Sequence, residues 1–142
     1  SAYAEPVLHV GPTGSGQRVK LVNNTLFAAQ IGIVAEAVRL AGRLGVDEAT
    51  LLGALPHGSG SSRALTSIAA AGSADRFIAA VGEFVGKDVA VIRATVAELG
   101  GDLGMLDDAV DAGLAGSRRS WADKISPPPP STLLALRSAN NP

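Results

Sequence analysis

Residues 17–42 read QRVKLVNNTLFAAQIGIVAEAVRLAG, with an apolar residue at nearly every turn and no proline. This periodicity predicts one long α-helix. At 1.5 Å per residue, such a helix is about 39 Å long. Because its apolar side chains face most directions, we expect other helices or a second subunit to enclose it. The stretch therefore indicates an all-α fold, a helical bundle built around one long helix.

The rest of the chain continues this helical pattern. Residues 42–46 interrupt the long helix, and Asp47 is placed to cap a second helix over residues 48–55, which ends before Pro56. Glycine pairs and turn residues separate the further predicted helices, in one of which Gly82 and Gly86 could produce a kink. These helices cover residues 62–71, 75–99, 103–114, with Asp102 as cap, and 117–125. Before the long helix, residues 7–10 form a strand candidate, and the four prolines at 127–130 begin a tail.

Composition limits the partners. The chain of 142 residues is 46% hydrophobic but only 4% aromatic, which suits closely packed helices in one domain. Its net charge is −1, and no basic cluster exceeds Arg118 and Arg119. We therefore expect no nucleic-acid partner.

Cysteine, histidine and hydropathy restrict the chemistry further. There is no cysteine, which excludes disulfides and is compatible with a cytoplasmic location. His9 and His57, the two histidines, are far apart, so we expect no metal site. The N-terminus does not resemble a signal peptide and no run reaches about 18 apolar residues, so we expect no membrane association.

Residues 11–16, GPTGSG, lie between the strand candidate and the long helix, where a dinucleotide-binding turn would be expected. The glycines follow the spacing GxxGxG rather than GxGxxG, and the acidic Glu36 falls inside the helix. We interpret this loop as the start of a helix rather than a phosphate-binding site.

A polar cluster interrupts the apolar pattern early in the long helix. Lys20, Asn23 and Asn24 are spaced i, i+3 and i+4, so they share one face. The helix dipole disfavours a cation near a helix N-terminus, and partial desolvation disfavours it further. A lysine in such a place releases its proton more readily, which suits general acid–base chemistry. The alternative from spacing alone is a lysine whose stem packs on the helix while its ammonium stays in water.

A family resemblance adds to this interpretation. Residues 14–24, GSGQRVKLVNN, resemble the signature GxGxxxKxxNN that opens the C-terminal domain of the β-hydroxyacid dehydrogenases, such as 3-hydroxyisobutyrate dehydrogenase, in the 6-phosphogluconate dehydrogenase superfamily. The resemblance continues through residues 35–37 and 44–47 to residues 84–89, FVGKDV, which are similar to the family's KDL segment. It covers about residues 11–115 and ends after Leu114.

The resemblance implies an NAD(P)-dependent enzyme that transfers hydride between the cofactor, NAD or NADP, and a 3-hydroxyacid. Lys20 would be the catalytic general acid/base, Asn24 a substrate-binding residue and Lys87 a cofactor contact, with no metal. Residues 1–16 would be an interdomain segment, 17–125 an all-helical substrate and dimerisation domain, and 126–142 a tail. Since the nucleotide-binding domain would be a separate N-terminal part, we expect this chain to be inactive alone and to form a homodimer.

Alternatives remain open at this stage. A non-catalytic helical dimerisation module would also need a long apolar helix, and a related reductase could act on imines. Residues 58–62 and Arg63 could hold a carboxylate, or they could simply be a helix start rich in capping residues.

Overall fold

The computed structural model describes residues 11–114, which form five α-helices and no strand. The helices are α1 (Ser15–Arg43), α2 (Glu48–Ala54), α3 (Arg63–Ala71), α4 (Ala74–Glu98) and α5 (Met105–Leu114). A short 3-10 turn, Leu55–His57, follows α2 and contains Pro56. The all-α prediction is therefore confirmed. The strand candidate at residues 7–10, the helix predicted at 117–125 and the tail at 126–142 lie outside the described residues.

Helix α1 is longer than predicted at both ends. It begins at Ser15, directly after Gly14, whose φ of 92° lies in the left-handed region, so Gly16 belongs to the helix and not to the loop. At the other end Gly42 is still helical. The chain leaves the helix through Gly45, at φ 78°, while Val46 N–H donates to the Ala41 carbonyl at 2.8 Å. This glycine-based C-terminal motif satisfies carbonyls that would otherwise lack a partner.

The three middle helices are capped by side chains. Asp47 accepts hydrogen bonds from the backbone N–H of Thr50 at 2.9 Å and from its hydroxyl at 2.8 Å, as the sequence predicted. The bond from the Thr50 backbone is the main reason that the pKa of Asp47 is lowered. A lowered pKa means that the cap stabilises the fold above the ordinary carboxyl range and loses this effect as the pH falls. Ser62 and Ser73 cap α3 and α4 in the same way.

One detail of the later helices differs from the prediction. Asp102 does not cap α5, because its carboxylate accepts from Gly104 N–H at 2.9 Å in a local turn and the helix starts only at Met105. Helix α4 runs unbroken through Gly82 and Gly86 for 25 residues. A lone helical glycine costs only about 1 kcal/mol relative to alanine, which tertiary packing readily offsets.

Helix α1 is the centre of the fold and contacts each of the other four helices. On one side it buries Ile31 and Val34 against Leu65 and Ile68 of α3, with Leu52 and Ile78 in the same cluster. Nearer its N-terminus it packs on Val89 of α4 and Val110 of α5 in a second cluster. These two clusters form the core and fix α1 relative to α3, α4 and α5.

Helices α1 and α5 cross at two glycines. A Cβ added to Gly113 would lie 3.1 Å from the Cα of Gly32, and one added to Gly32 would overlap the carbonyl oxygen of Ala109. The backbones therefore meet directly, which requires residues without a side chain at this crossing. Arg93 of α4 further fixes α5 through hydrogen bonds to Asp107 and Asp111, both 2.7 Å long.

On length and composition alone, α1 is long and apolar enough to cross a membrane. Its central residues, however, contact the other helices and supply both core clusters. The core of the bundle therefore accounts for much of its apolar content.

Candidate functional site

The N-terminal part of α1 extends beyond the packed core. The first buried residue of this helix is Thr25, whose hydroxyl donates to the Leu21 carbonyl at 2.8 Å. Before it, Lys20 and Asn23 are exposed and Asn24 is half-buried. The polar cluster found in the sequence thus lies where α1 leaves the bundle.

An open cleft of about 550 Å³, here named the polar cleft, lies between α1 and the beginning of α3. Its volume is within the usual range for a small-molecule site. Most of its lining side chains carry amide, hydroxyl or guanidinium groups. The residues lining it are Asn23, Asn24, Leu26, Phe27, Gln30, Ser61, Ser62 and Arg63.

A second cavity of about 280 Å³, here named the apolar cavity, lies between α1 and α4. Along α4 its lining residues recur at every turn, so they share one broad helical face. The residues lining it are Asn24, Phe27, Phe77, Val81, Phe84, Val85 and Asp88. Asn24 and Phe27 belong to both cavities, so the carboxamide of Asn24 stands where they adjoin.

The three predicted site residues differ in their position relative to the two cavities. Asn24 lines both cavities. Lys20 lies one turn before Asn24 on the same face of α1, about 6 Å along the axis, and therefore beside the opening. Lys87 is exposed on α4, next to Asp88, and forms an ion pair with Glu83 at 3.2 Å. Neither lysine lines the polar cleft or the apolar cavity.

The expected partial desolvation of Lys20 does not come from residues 11–114, where its side chain is exposed. Helix α1 has no buried residue before Thr25, so the described helices leave Lys20 open to solvent. Removal of water from Lys20 would therefore depend on groups outside residues 11–114.

Sequence reasoning missed several residues of these cavities. Phe27 and Gln30 continue the row of Lys20 and Asn24 at helical spacing, so extending that row by two turns would have identified them. The family resemblance singled out residues 84–89, but it gave a role only to Lys87, and the pattern of α4 does not show which helix Phe84 and Asp88 face. Within residues 11–114 no group of acidic or histidine side chains could hold a metal ion.

Comparisons with known proteins give the family of the chain. A family model described as "NAD-binding of NADP-dependent 3-hydroxyisobutyrate dehydrogenase" matches residues 14–124. An uncharacterized oxidoreductase of Synechocystis sp. is 37% identical over 68 residues, which cover 48% of this chain and 23% of the relative. A 2-(hydroxymethyl)glutarate dehydrogenase of Eubacterium barkeri is 35% identical over 65 residues, which cover 46% and 22%.

The matches thus span less than a quarter of each of these two relatives. No solved structure matches the chain significantly. The family model, in contrast, covers more than half of the chain and includes α1 to α5 completely. The chain therefore belongs to the NAD-binding family of NADP-dependent 3-hydroxyisobutyrate dehydrogenase.

Proposed function

We propose that this chain is the C-terminal helical domain of an NAD(P)-dependent dehydrogenase that interconverts a 3-hydroxyacid and its carbonyl product. The observation that carries the proposal is the position of Asn24, which stands between the polar cleft and the apolar cavity with Lys20 one turn away on the same face. One cavity can thus hold a polar substrate and the other an adjoining flat ring.

The apolar cavity fits the nicotinamide ring of the cofactor. Its walls include Phe77 and Phe84, which offer flat apolar surface, and Asp88 adds one carboxylate facing the positive charge of the oxidised ring. When bound, the cofactor supplies the hydride acceptor or donor. The remainder of the cofactor would lie on a separate nucleotide-binding domain.

The side chains of α1 supply positioning and proton transfer. In the oxidative direction Lys20 would accept the proton of the substrate hydroxyl, and in the reductive direction it would return that proton. Asn24 aligns the substrate by hydrogen bonding, so that the hydroxyl faces Lys20 while its carbon faces the apolar cavity.

The relatives indicate the substrate class. The family model is described by 3-hydroxyisobutyrate, and the Eubacterium barkeri relative is named for 2-(hydroxymethyl)glutarate. Both molecules carry a hydroxymethyl group on the carbon that bears a carboxylate, so both are 3-hydroxyacids. We propose that this chain acts on the same chemical unit.

Turnover by the full-length protein tests the function. We assay oxidation of 3-hydroxyisobutyrate and of 2-(hydroxymethyl)glutarate with NAD and with NADP, following formation of the reduced nicotinamide. The proposal expects turnover of at least one acid. Reduction of an imine without oxidation of either acid would identify the related imine reductase, and no turnover of any of these would favour a non-catalytic dimerisation module.

Replacement of Lys87 by alanine is expected to weaken cofactor binding about 10- to 100-fold, since a lost charge-assisted hydrogen bond is worth about 1.5–3 kcal/mol. The fold should persist, because the side chain is 76% exposed and its ion pair with Glu83 lies on the surface. A fluorescence titration with the reduced cofactor measures the affinity. Glu83→Ala removes the same ion pair but keeps the cation, so it should bind normally. Wild-type affinity in Lys87→Ala would contradict the assignment.

A second copy of this chain is the proposed partner. Five large apolar residues of α1 are 45–65% exposed and follow one another in steps of three, four and seven, so they share one face. These residues, the apolar stripe, are Val19, Val22, Leu26, Ile33 and Leu40. A symmetric pair would place the two stripes together and bury them both.

This interface predicts that the isolated chain is a folded, all-helical homodimer without dehydrogenase activity. Activity should be absent because the glycine spacing GxxGxG at residues 11–16 does not provide the phosphate-binding turn that a nicotinamide site needs. Circular dichroism, sedimentation velocity and the turnover assay measure the three properties. Ile33→Glu should give monomers, whereas Ala80→Glu, an exposed change on α4, should not. A helical monomer at micromolar concentration would refute the dimer but not the family assignment.

A further inference from the structure

The polar cleft contains many hydrogen-bond donors and one charged residue. Three carboxamides, two hydroxyls and the guanidinium of Arg63 line it, and no carboxylate does. The carboxamides belong to Asn23, Asn24 and Gln30 of α1, across the cleft from Ser61, Ser62 and Arg63. A lining with one uncompensated cation and many donors favours an anionic ligand.

The guanidinium of Arg63 has no partner of its own within residues 11–114. By contrast, Arg93 binds the carboxylates of both Asp107 and Asp111. The backbone of Arg63 is nevertheless fixed, because its carbonyl accepts from the Ser67 hydroxyl at 3.0 Å and it follows the capping residue Ser62. The residue is therefore held at the wall of the cleft while its donors remain available.

The position of Arg63 relative to Lys20 determines which part of a substrate Arg63 can bind. Asn24 connects the polar cleft to the face of α1 that carries Lys20, while Arg63 stands on the opposite wall, on α3. A substrate whose hydroxyl meets Lys20 would thus reach Arg63 only with a group at its far end. At about 550 Å³ the cleft is larger than a four-carbon hydroxyacid requires.

We propose that Arg63 binds the second carboxylate of a dicarboxylic 3-hydroxyacid in the polar cleft, and so determines specificity for doubly charged substrates. The inference rests on the proposed function for the identity of the reacting group. The planar guanidinium can donate two parallel hydrogen bonds to a carboxylate, a geometry that a lysine ammonium does not reproduce.

Binding of glutarate and of butyrate to the full-length protein, measured by calorimetry, tests the site without turnover. The two acids differ by one carboxylate, so their affinity ratio reports what that group contributes. We expect glutarate to bind about 10- to 100-fold more tightly than butyrate, as one charge-assisted hydrogen-bonded pair provides. Arg63→Gln should abolish this ratio, and Arg63→Lys should keep part of it.

Arg43→Gln is the matched control, because Arg43 is an exposed cation at the opposite end of α1. It should leave the ratio unchanged, and circular dichroism should show that each variant keeps the helical fold. A ratio that persists in Arg63→Gln would overturn the inference, as would equal binding of the two acids by the wild type.

The turnover assay separates this inference from the proposed function. If the glutarate preference depends on Arg63 but no hydroxyacid is oxidised, the anion site stands and the proposed function fails. If hydroxyacids are oxidised but Arg63→Gln does not change the relative kcat/KM of the monocarboxylic and dicarboxylic substrates, the proposed function stands and the role of Arg63 is wrong.

Discussion

Lys20→Met in the full-length protein is expected to lower kcat by at least about 100-fold, the usual effect of losing a general acid or base. Methionine keeps most of the apolar stem but carries no proton at its end. Lys20 is exposed and makes no contribution to the core clusters, so the fold and the melting temperature should hardly change. Steady-state kinetics over a range of pH measure the loss.

Two controls distinguish proton transfer from general effects of charge at this end of α1. Arg18→Met removes an exposed cation two residues earlier, on another face of the helix, and should retain most of the activity. Lys20→Arg keeps the positive charge but cannot release a proton near neutral pH, so it should be nearly as impaired as Lys20→Met. Full turnover in Lys20→Met would refute the catalytic assignment.

Local features of the fold were readable from the sequence because their causes are local. The apolar period of α1 predicted the long helix, and Asp47 was correctly identified as a cap because its carboxylate reaches the N–H of Thr50 three residues later. The prediction for Asp102 was wrong, since an aspartate can also stabilise a local turn. Here the carboxylate of Asp102 accepts a hydrogen bond from the N–H of Gly104. Sequence alone does not decide between these two uses of aspartate.

The site was only partly readable for a different reason. Spacing placed Lys20 and Asn24 on one face, and Asn24 indeed lines both cavities. It did not show that Phe84 and Asp88 stand across from Asn24, because periodicity defines the face of a helix and not its partner. The exposure of Lys20 was also unforeseen, since it depends on how the other helices pack against α1.

The sequence did not reveal the crossing of α1 and α5 for the same reason. Among the glycines of the described helices, Gly32 at this crossing has the least room for an added methyl group. Gly32 has no unusual position in the apolar pattern of α1, and in a helix interior alanine is normally favoured over glycine by about 1 kcal/mol. On sequence alone, Gly32→Ala would therefore be expected to stabilise the protein. The structure reverses the sign of this expectation.

Gly32→Ala is expected to destabilise the chain by about 3 kcal/mol, the upper part of the range for overpacked cores. The new Cβ would overlap the Ala109 carbonyl oxygen and lie 2.8 Å from its carbonyl carbon and 3.0 Å from Gly113 N. All three are backbone atoms, so no side-chain rotation relieves the clash and α5 must move away, which uncovers the buried Val110. Urea unfolding followed by circular dichroism measures the change.

Gly86→Ala is the matched control, because nothing lies within 4 Å of its added Cβ in α4, and it should stabilise by up to about 1 kcal/mol. Equal or greater stability of Gly32→Ala would contradict the direct contact between the backbones of α1 and α5.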